Sequence, residues 1–134
     1  MLVDSSVWIA FLRGDRTPEV ELLTEALNRK HSVWVAPPIL QEVLQGAESP
    51  ERFAKWDRIF GGLPLLDEPS GRAAARAAAH LYARCRWLGT TPRSANDCLI
   101  AVYAIENDMP LLHCDRDFPL IAKVEPKLLL MPTQ

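Results

Sequence analysis

The chain is 134 residues long, enough for one domain with a real hydrophobic core and too short for two ordinary ones. Its apolar share of 49% and charged share of 24% are those of a soluble globular protein, and no apolar run approaches the roughly 20 residues of a membrane-crossing helix. The formal net charge of -2 lacks the basic excess that commonly marks a nucleic-acid binder.

The chain opens Met-Leu-Val-Asp, without the basic region and apolar stretch of a secretory signal, so a cytoplasmic location is expected. Leu2-Val3 reads as a short strand running into Asp4. Ser5 and Ser6 suit a helix start, and Val7, Trp8, Phe11 and Leu12 recur at helical spacing before Gly14. Thr17-Pro18 opens a second helix with Val20, Leu23 and Leu27 on one face. Residues Ser32 to Ala36 read as a strand, ended by Pro37-Pro38, which in turn suit the first turn of a helix through Ile39, Leu40, Val43 and Leu44. Ser49-Pro50-Glu51 starts another helix, carrying Phe53, Trp56 and Phe60 up to Gly61-Gly62.

Leu63 to Leu66 is a short strand, and Ser70 to Leu88 a long alanine-rich helix stopped by Gly89. After a loop from Thr90 to Arg93, Ser94 caps an apolar helix through Leu99, Ile100, Val102, Tyr103 and Ile105. Pro110 to Cys114 is a strand ending at Asp115, and Leu128 to Met131 is the last. Short apolar strands alternating with helices predict a single α/β domain over residues 1–134, with a mainly parallel sheet of about five strands. The cysteines Cys85, Cys98 and Cys114 form no CxxC pair and sit among apolar neighbours, so three buried reduced thiols are expected.

Four carboxylates stand at telling places. Asp4 and Asp115 follow apolar strands, at the carboxyl ends where open α/β sheets bind ligands. Glu42 lies on the helix after the second strand, and Asp97 in the first turn of an apolar helix. Such a group can converge, and converging carboxylates need a compensating proton or a hard divalent cation. A cation held by oxygen ligands activates water and stabilises charge on a phosphodiester. Each residue also has a plain structural use: Asp4 as a helix start, Glu42 as a solvated helix residue, Asp97 in a capping box with Ser94, and Asp115 and Asp117 as turn residues.

The segment Val3-Asp4-Ser5-Ser6-Val7-Trp8-Ile9 resembles the first motif of PIN domains. Pro38-Ile39-Leu40-Gln41-Glu42-Val43 is similar to the second, Asn96-Asp97-Cys98-Leu99-Ile100-Ala101 to the third, and Leu111-Leu112-His113-Cys114-Asp115-Arg116-Asp117-Phe118 to the fourth. The Asp-Ser-Ser-Val-Trp form resembles the VapC toxins of bacterial toxin–antitoxin pairs. The resemblance implies a Rossmann-like α/β/α fold, Mg²⁺ or Mn²⁺ dependence, endoribonuclease activity, a homodimer and a VapB-like antitoxin that blocks the site. By position, Asp4, Glu42, Asp97 and Asp115 match the acidic quartet, Asp117 the closing Asp-Phe, and Ser6 a hydroxyl residue supporting the metal. His113 stands where the family often has threonine, which bears on how the carboxylates are supported.

No acidic residue lies between Pro69 and Asn96, while Arg72, Arg76, Arg84, Arg86 and Arg93 all do. Arg72, Arg76, His80 and Arg84 form a helical stripe expected to hold the RNA backbone, with Arg86 and Arg93 extending it toward Asp97. The aromatic sets Trp8–Phe11 and Phe53–Trp56–Phe60 are expected mostly in the core, with some free for a dimer or antitoxin contact. Two other functions compete, beside a structural protein with no site. One is a PIN-like RNA-binding or scaffold protein without catalysis. The other is a phosphoryl-transfer domain with a nucleophilic aspartate, which would want an acid where Ser6 stands.

Overall fold

A computed structural model describes residues 1–30 and 32–131. Its sheet is built outward from the N-terminus. Strand β1 (Leu2–Val3) pairs in parallel with β2 (Leu111–Leu112), and β2 with β3 (Leu130–Met131). On the other side of β1, single parallel bridges join Leu2 to Trp34 and Val35 to Leu65. Five extended segments therefore lie side by side. The expected strands at 32–36 and 63–66 are present only as bridges, and proline accounts for the brevity. Pro64 accepts the Val35 N–H at 3.0 Å but has no N–H to return, and Pro37 begins a helix directly after Ala36.

The chain works outward from β1 through residues 34 and 65, then returns to the opposite side of β1 as β2 and β3. The order thus reverses between β1 and β2, where crevices form in open α/β sheets. The Asp4 N–H donates to the Leu112 carbonyl at 2.9 Å, closing the two strand ends side by side.

Helices α1 (Ser5–Arg13), α2 (Pro18–Asn28), α3 (Pro37–Leu44), α4 (Pro50–Gly61), α5 (Gly71–Trp87) and α6 (Ala95–Glu106) all occupy predicted stretches. The hydroxyls of Thr17, Ser49 and Ser94 accept backbone N–H bonds at the starts of α2, α4 and α6. Gly14 ends α1 at φ 80°, a left-handed conformation that costs glycine little. Helix α6 is buried on nearly every side, as expected of a helix apolar all round. Helix α5 lies antiparallel to it, with Cys85 against Cys98 and Leu81 beside Val102. The result is the expected Rossmann-like α/β/α architecture.

Trp8 is fully buried and anchors the core edge-on to Phe60, with ring centroids 4.7 Å apart. Phe53, in contrast, is exposed on α4. One expectation needs correcting. Cys114 is exposed rather than buried, because it lies past the end of β2 on the loop rimming the crevice. Residues Asp117–Val124, left unassigned above, form a helix, α7. Its Pro119 sits in the first turn, where no intrahelical N–H bond is required. Among the described residues no helix is long and apolar enough to cross a membrane.

Candidate active site

All five acidic residues singled out above border one crevice of about 390 Å³ at the β1–β2 switch point, together with Ser6 and Arg93. Asp4 follows β1 directly, Asp115 lies on the loop after β2, and Asp117 is the first residue of α7. Asp97 is in the first turn of α6, and Glu42 is in the second turn of α3. A larger groove of about 680 Å³ runs between α1 and α2, but the charges along it are of mixed sign, Asp15, Arg16, Glu21 and Arg29 among them. Among the described residues, five like charges converge on the smaller crevice.

Asp4 is 3% exposed and serves as N-cap and site residue at once. Its Oδ2 accepts the Ser6 N–H at 3.1 Å and the Ser6 hydroxyl at 2.5 Å. The same hydroxyl accepts the Cys114 N–H at 3.4 Å, tying the loop after β2 to the start of α1. Oδ1 is buried with no hydrogen-bond partner. Burial pushes the Asp4 carboxyl above the usual carboxylate range, and the two Ser6 bonds restrain that rise.

Asp97 is the most perturbed group. Burial first, then the negative charges of Asp115, Asp4, Asp117 and Glu42, raise its pKa to about 7. The capping box expected for it does not form. The Ser94 hydroxyl takes the Asn96 N–H at 3.2 Å, and among the described residues nothing donates to the Asp97 carboxylate. Glu42 is pushed up by burial and by Asp4, and held down by side-chain bonds from Asn96 and Ser5. The Asn96 amide donates to Glu42 Oε1 at 2.9 Å, joining α3 to α6 across the mouth of the crevice. Sequence reasoning quoted Asn96 within a motif but gave it no role. Its place beside Asp97 in the first turn of α6 was the available signal.

Asp97, Asp115 and Asp117 each bring one carboxylate oxygen within 4.8 Å of the others. Asp115 Oδ1 accepts the Asp117 N–H at 2.9 Å and Arg93 Nη2 at 3.3 Å. Asp117 Oδ2 accepts both the Arg93 N–H at 3.0 Å and its Nε at 3.2 Å. His113 stands on the loop after β2, two residues before Asp115. Its Nδ1 accepts the Asp115 N–H at 3.2 Å and its ring lies edge-on to Phe118, so it shapes the loop instead of supporting Asp4.

A model of the PIN domain matches residues 1–124. The chain belongs to the PIN-domain family. It is 33% identical over 125 residues to VapC ribonuclease Mb1587 of Mycobacterium bovis, covering 92% of each chain. The same identity and coverage hold for ribonuclease VapC11 of Mycobacterium tuberculosis. The fold is similar to VapBC2 from Rickettsia felis bound to a promoter DNA fragment, at TM-score 0.72 and 19% identity, covering 96% of this chain and 95% of that one. VapBC-1 from nontypeable Haemophilus influenzae gives TM-score 0.72 at 16% identity, covering 97% and 95%. The PIN-domain and VapC resemblance read from the motifs is borne out.

Within this PIN domain the arginines lie at different distances from the crevice. Arg93 reaches the carboxylates. Arg84 is spent on Glu125, at 3.1 Å, and on the Val124 carbonyl. Because α5 runs antiparallel to α6, Arg72 and Arg76 lie beside the C-terminal end of α6, where Asn107 bonds the Glu68 carbonyl. At 1.5 Å per residue that places them roughly 15–20 Å from Asp97. Arg86 is exposed in the last turn of α5, level with the site.

The donor set suits a hard divalent cation. Every available ligand atom is a carboxylate or hydroxyl oxygen, which fits Mg²⁺ or Mn²⁺ over softer metals. Asp4 Oδ1, buried and unpartnered, is the oxygen that most needs a positive neighbour.

Proposed function

We propose that the chain, as a single domain, is a metal-dependent endoribonuclease that hydrolyses RNA phosphodiester bonds, and the toxin of a toxin–antitoxin pair. The observation that carries the reading is the convergence of five carboxylates on one crevice with a buried Asp4 oxygen left unpaired. The family supports it, as do curated relatives named as VapC ribonucleases.

Asp4, Asp97, Asp115 and Glu42 would hold Mg²⁺ or Mn²⁺. The cation would supply Lewis acidity, acidifying a water and offsetting charge on the phosphodiester. The chain's own groups do the rest. Ser6 fixes Asp4 through Oδ2, while Oδ1 stays buried and unpaired. Asn96 holds Glu42 Oε1 and so fixes a carboxylate that would hold the cation or orient the attacking water. The raised pKa of Glu42 makes it a better base than an ordinary surface carboxylate. Asp117 fixes the loop that carries Arg93. Attack by water leaves a 5′-phosphate and a 3′-hydroxyl.

A homodimer and a VapB-like antitoxin complete the proposal, since several structures of similar fold are titled as VapBC complexes. The test is end-group analysis of cleaved RNA alongside Mn²⁺ calorimetry on the wild type and Asp4→Asn. The expected result is a 5′-phosphate product, and cation binding lost in the variant. A 2′,3′-cyclic phosphate, the mark of attack by the RNA's own 2′-hydroxyl, would overturn the mechanism.

A further inference from the structure

We propose that Arg93 is an internal cation of the acidic crevice, one that opposes divalent-metal binding by holding Asp115 and Asp117 and that also presents its guanidinium to the RNA phosphate. The proposal rests on the nuclease reading only in its second half.

The geometry is specific. Arg93 stands two residues after Thr91 on the loop between α5 and α6, and its side chain is 59% exposed. It turns inward nonetheless, with Nε on Asp117 Oδ2 at 3.2 Å and Nη2 on Asp115 Oδ1 at 3.3 Å. The Asp117 carboxylate it grips is 7% exposed, and a third bond, from the Arg93 backbone N–H to the same oxygen at 3.0 Å, pins the loop. Of the group Asp97, Asp115 and Asp117, whose oxygens come within 4.8 Å, two members are thus bonded to one guanidinium. A divalent ion among these oxygens must either displace that guanidinium or sit a few ångströms from its positive charge. Either way its binding is weakened. Arginine's planar fork also matches phosphate, and Nη1 is not used in either carboxylate bond. One residue therefore acts in opposite directions on two ligands.

That opposition is the test. Mn²⁺ alone is titrated calorimetrically into the wild type, Arg93→Gln, Arg93→Lys and Arg116→Gln, with Tm as a check of folding. Arg116 carries the same charge between Asp115 and Asp117 in sequence, is exposed, and makes no bond to either carboxylate. The backbone bond to Asp117 survives in every variant. Arg93→Gln is expected to bind Mn²⁺ about three- to tenfold more tightly than wild type, as befits a partly exposed charge-assisted pair. Arg116→Gln is expected to gain less than twofold, and Arg93→Lys to fall between. At saturating Mn²⁺, Arg93→Gln is expected to show a raised KM for RNA and a flatter salt dependence. Unchanged Mn²⁺ affinity in Arg93→Gln, or an equal gain in Arg116→Gln, overturns the proposal while leaving the nuclease reading untouched. Tighter Mn²⁺ binding by Arg93→Gln, with no RNA cleavage by the wild type at saturating Mn²⁺, supports the metal half and sinks the nuclease reading instead.

Discussion

Replacing Asp97 by asparagine should make the metal-free protein more resistant to unfolding above neutral pH, even as it removes the cation site. Asp97 is 8% exposed, and among the described residues nothing donates to its carboxylate, so the amide forfeits no bond. Its folded-state pKa of about 7 stands far above the reference value of 3.8. The unfolded chain therefore releases the proton at lower pH than the folded one. Stability is intact below about pH 4, declines as pH rises, and levels off above about pH 7. At 1.36 kcal/mol per pKa unit the whole decline has a ceiling of about 4 kcal/mol, and about 2.5 kcal/mol of it falls between pH 5 and pH 8. Asp97→Asn lacks that decline. Its advantage over wild type should widen by about 2.5 kcal/mol from pH 5 to pH 8, or roughly 5–10 °C in Tm for a chain of this size. The assay is thermal unfolding of both proteins in chelator at the two pH values. A gap that stays constant or narrows toward pH 8 would refute the claim that ionised Asp97 is a strained group.

Adding Mn²⁺ should raise the wild-type Tm, and more so at pH 8 than at pH 6, where protons compete for Asp97; differential scanning fluorimetry reads this directly. Ser6→Ala strips Asp4 Oδ2 of its hydroxyl donor and should cost about 1–2 kcal/mol in urea unfolding, with Mn²⁺ binding weakened several-fold. Loss of neither would show that Ser6 does not hold Asp4. Asn96→Ala should lower the cleavage rate about tenfold, equivalent to one bond to a carboxylate of about 1.4 kcal/mol. Asn96→Asp should lower it further, by setting a sixth carboxylate against Glu42.

The sequence made the acidic residues legible because strand ends and helix first turns are local features. Asp4 after Leu2-Val3 and Asp97 after Ser94 can be placed from a few neighbours each. Short strands were legible too, though their pairing was not: Pro64 cuts the outer segment to one bridge, and only the register shows it. Helix α7 is hard to see in the sequence because Asp115-Arg116-Asp117 reads as a turn; Pro119 falls in its first turn, which needs no N–H bond. The arginines misled for a different reason. Spacing of four residues places Arg72, Arg76 and Arg84 on one helix face, but nothing local reveals that Glu125, 41 residues away, takes Arg84. Nor does it reveal that the antiparallel packing of α5 on α6 carries Arg72 and Arg76 away from Asp97. Arg93 turning inward and Asn96 bridging to Glu42, 54 residues distant, are likewise properties of the assembled crevice.

The most direct test of the central claim is cleavage of total cellular RNA by purified, antitoxin-free protein in Mg²⁺, in Mn²⁺ and in chelator, beside Asp97→Asn. The account predicts discrete fragments with either cation, none in chelator and none from the variant. Fragments that persist in chelator or from Asp97→Asn, or no cleavage by folded wild type with either metal, would contradict it.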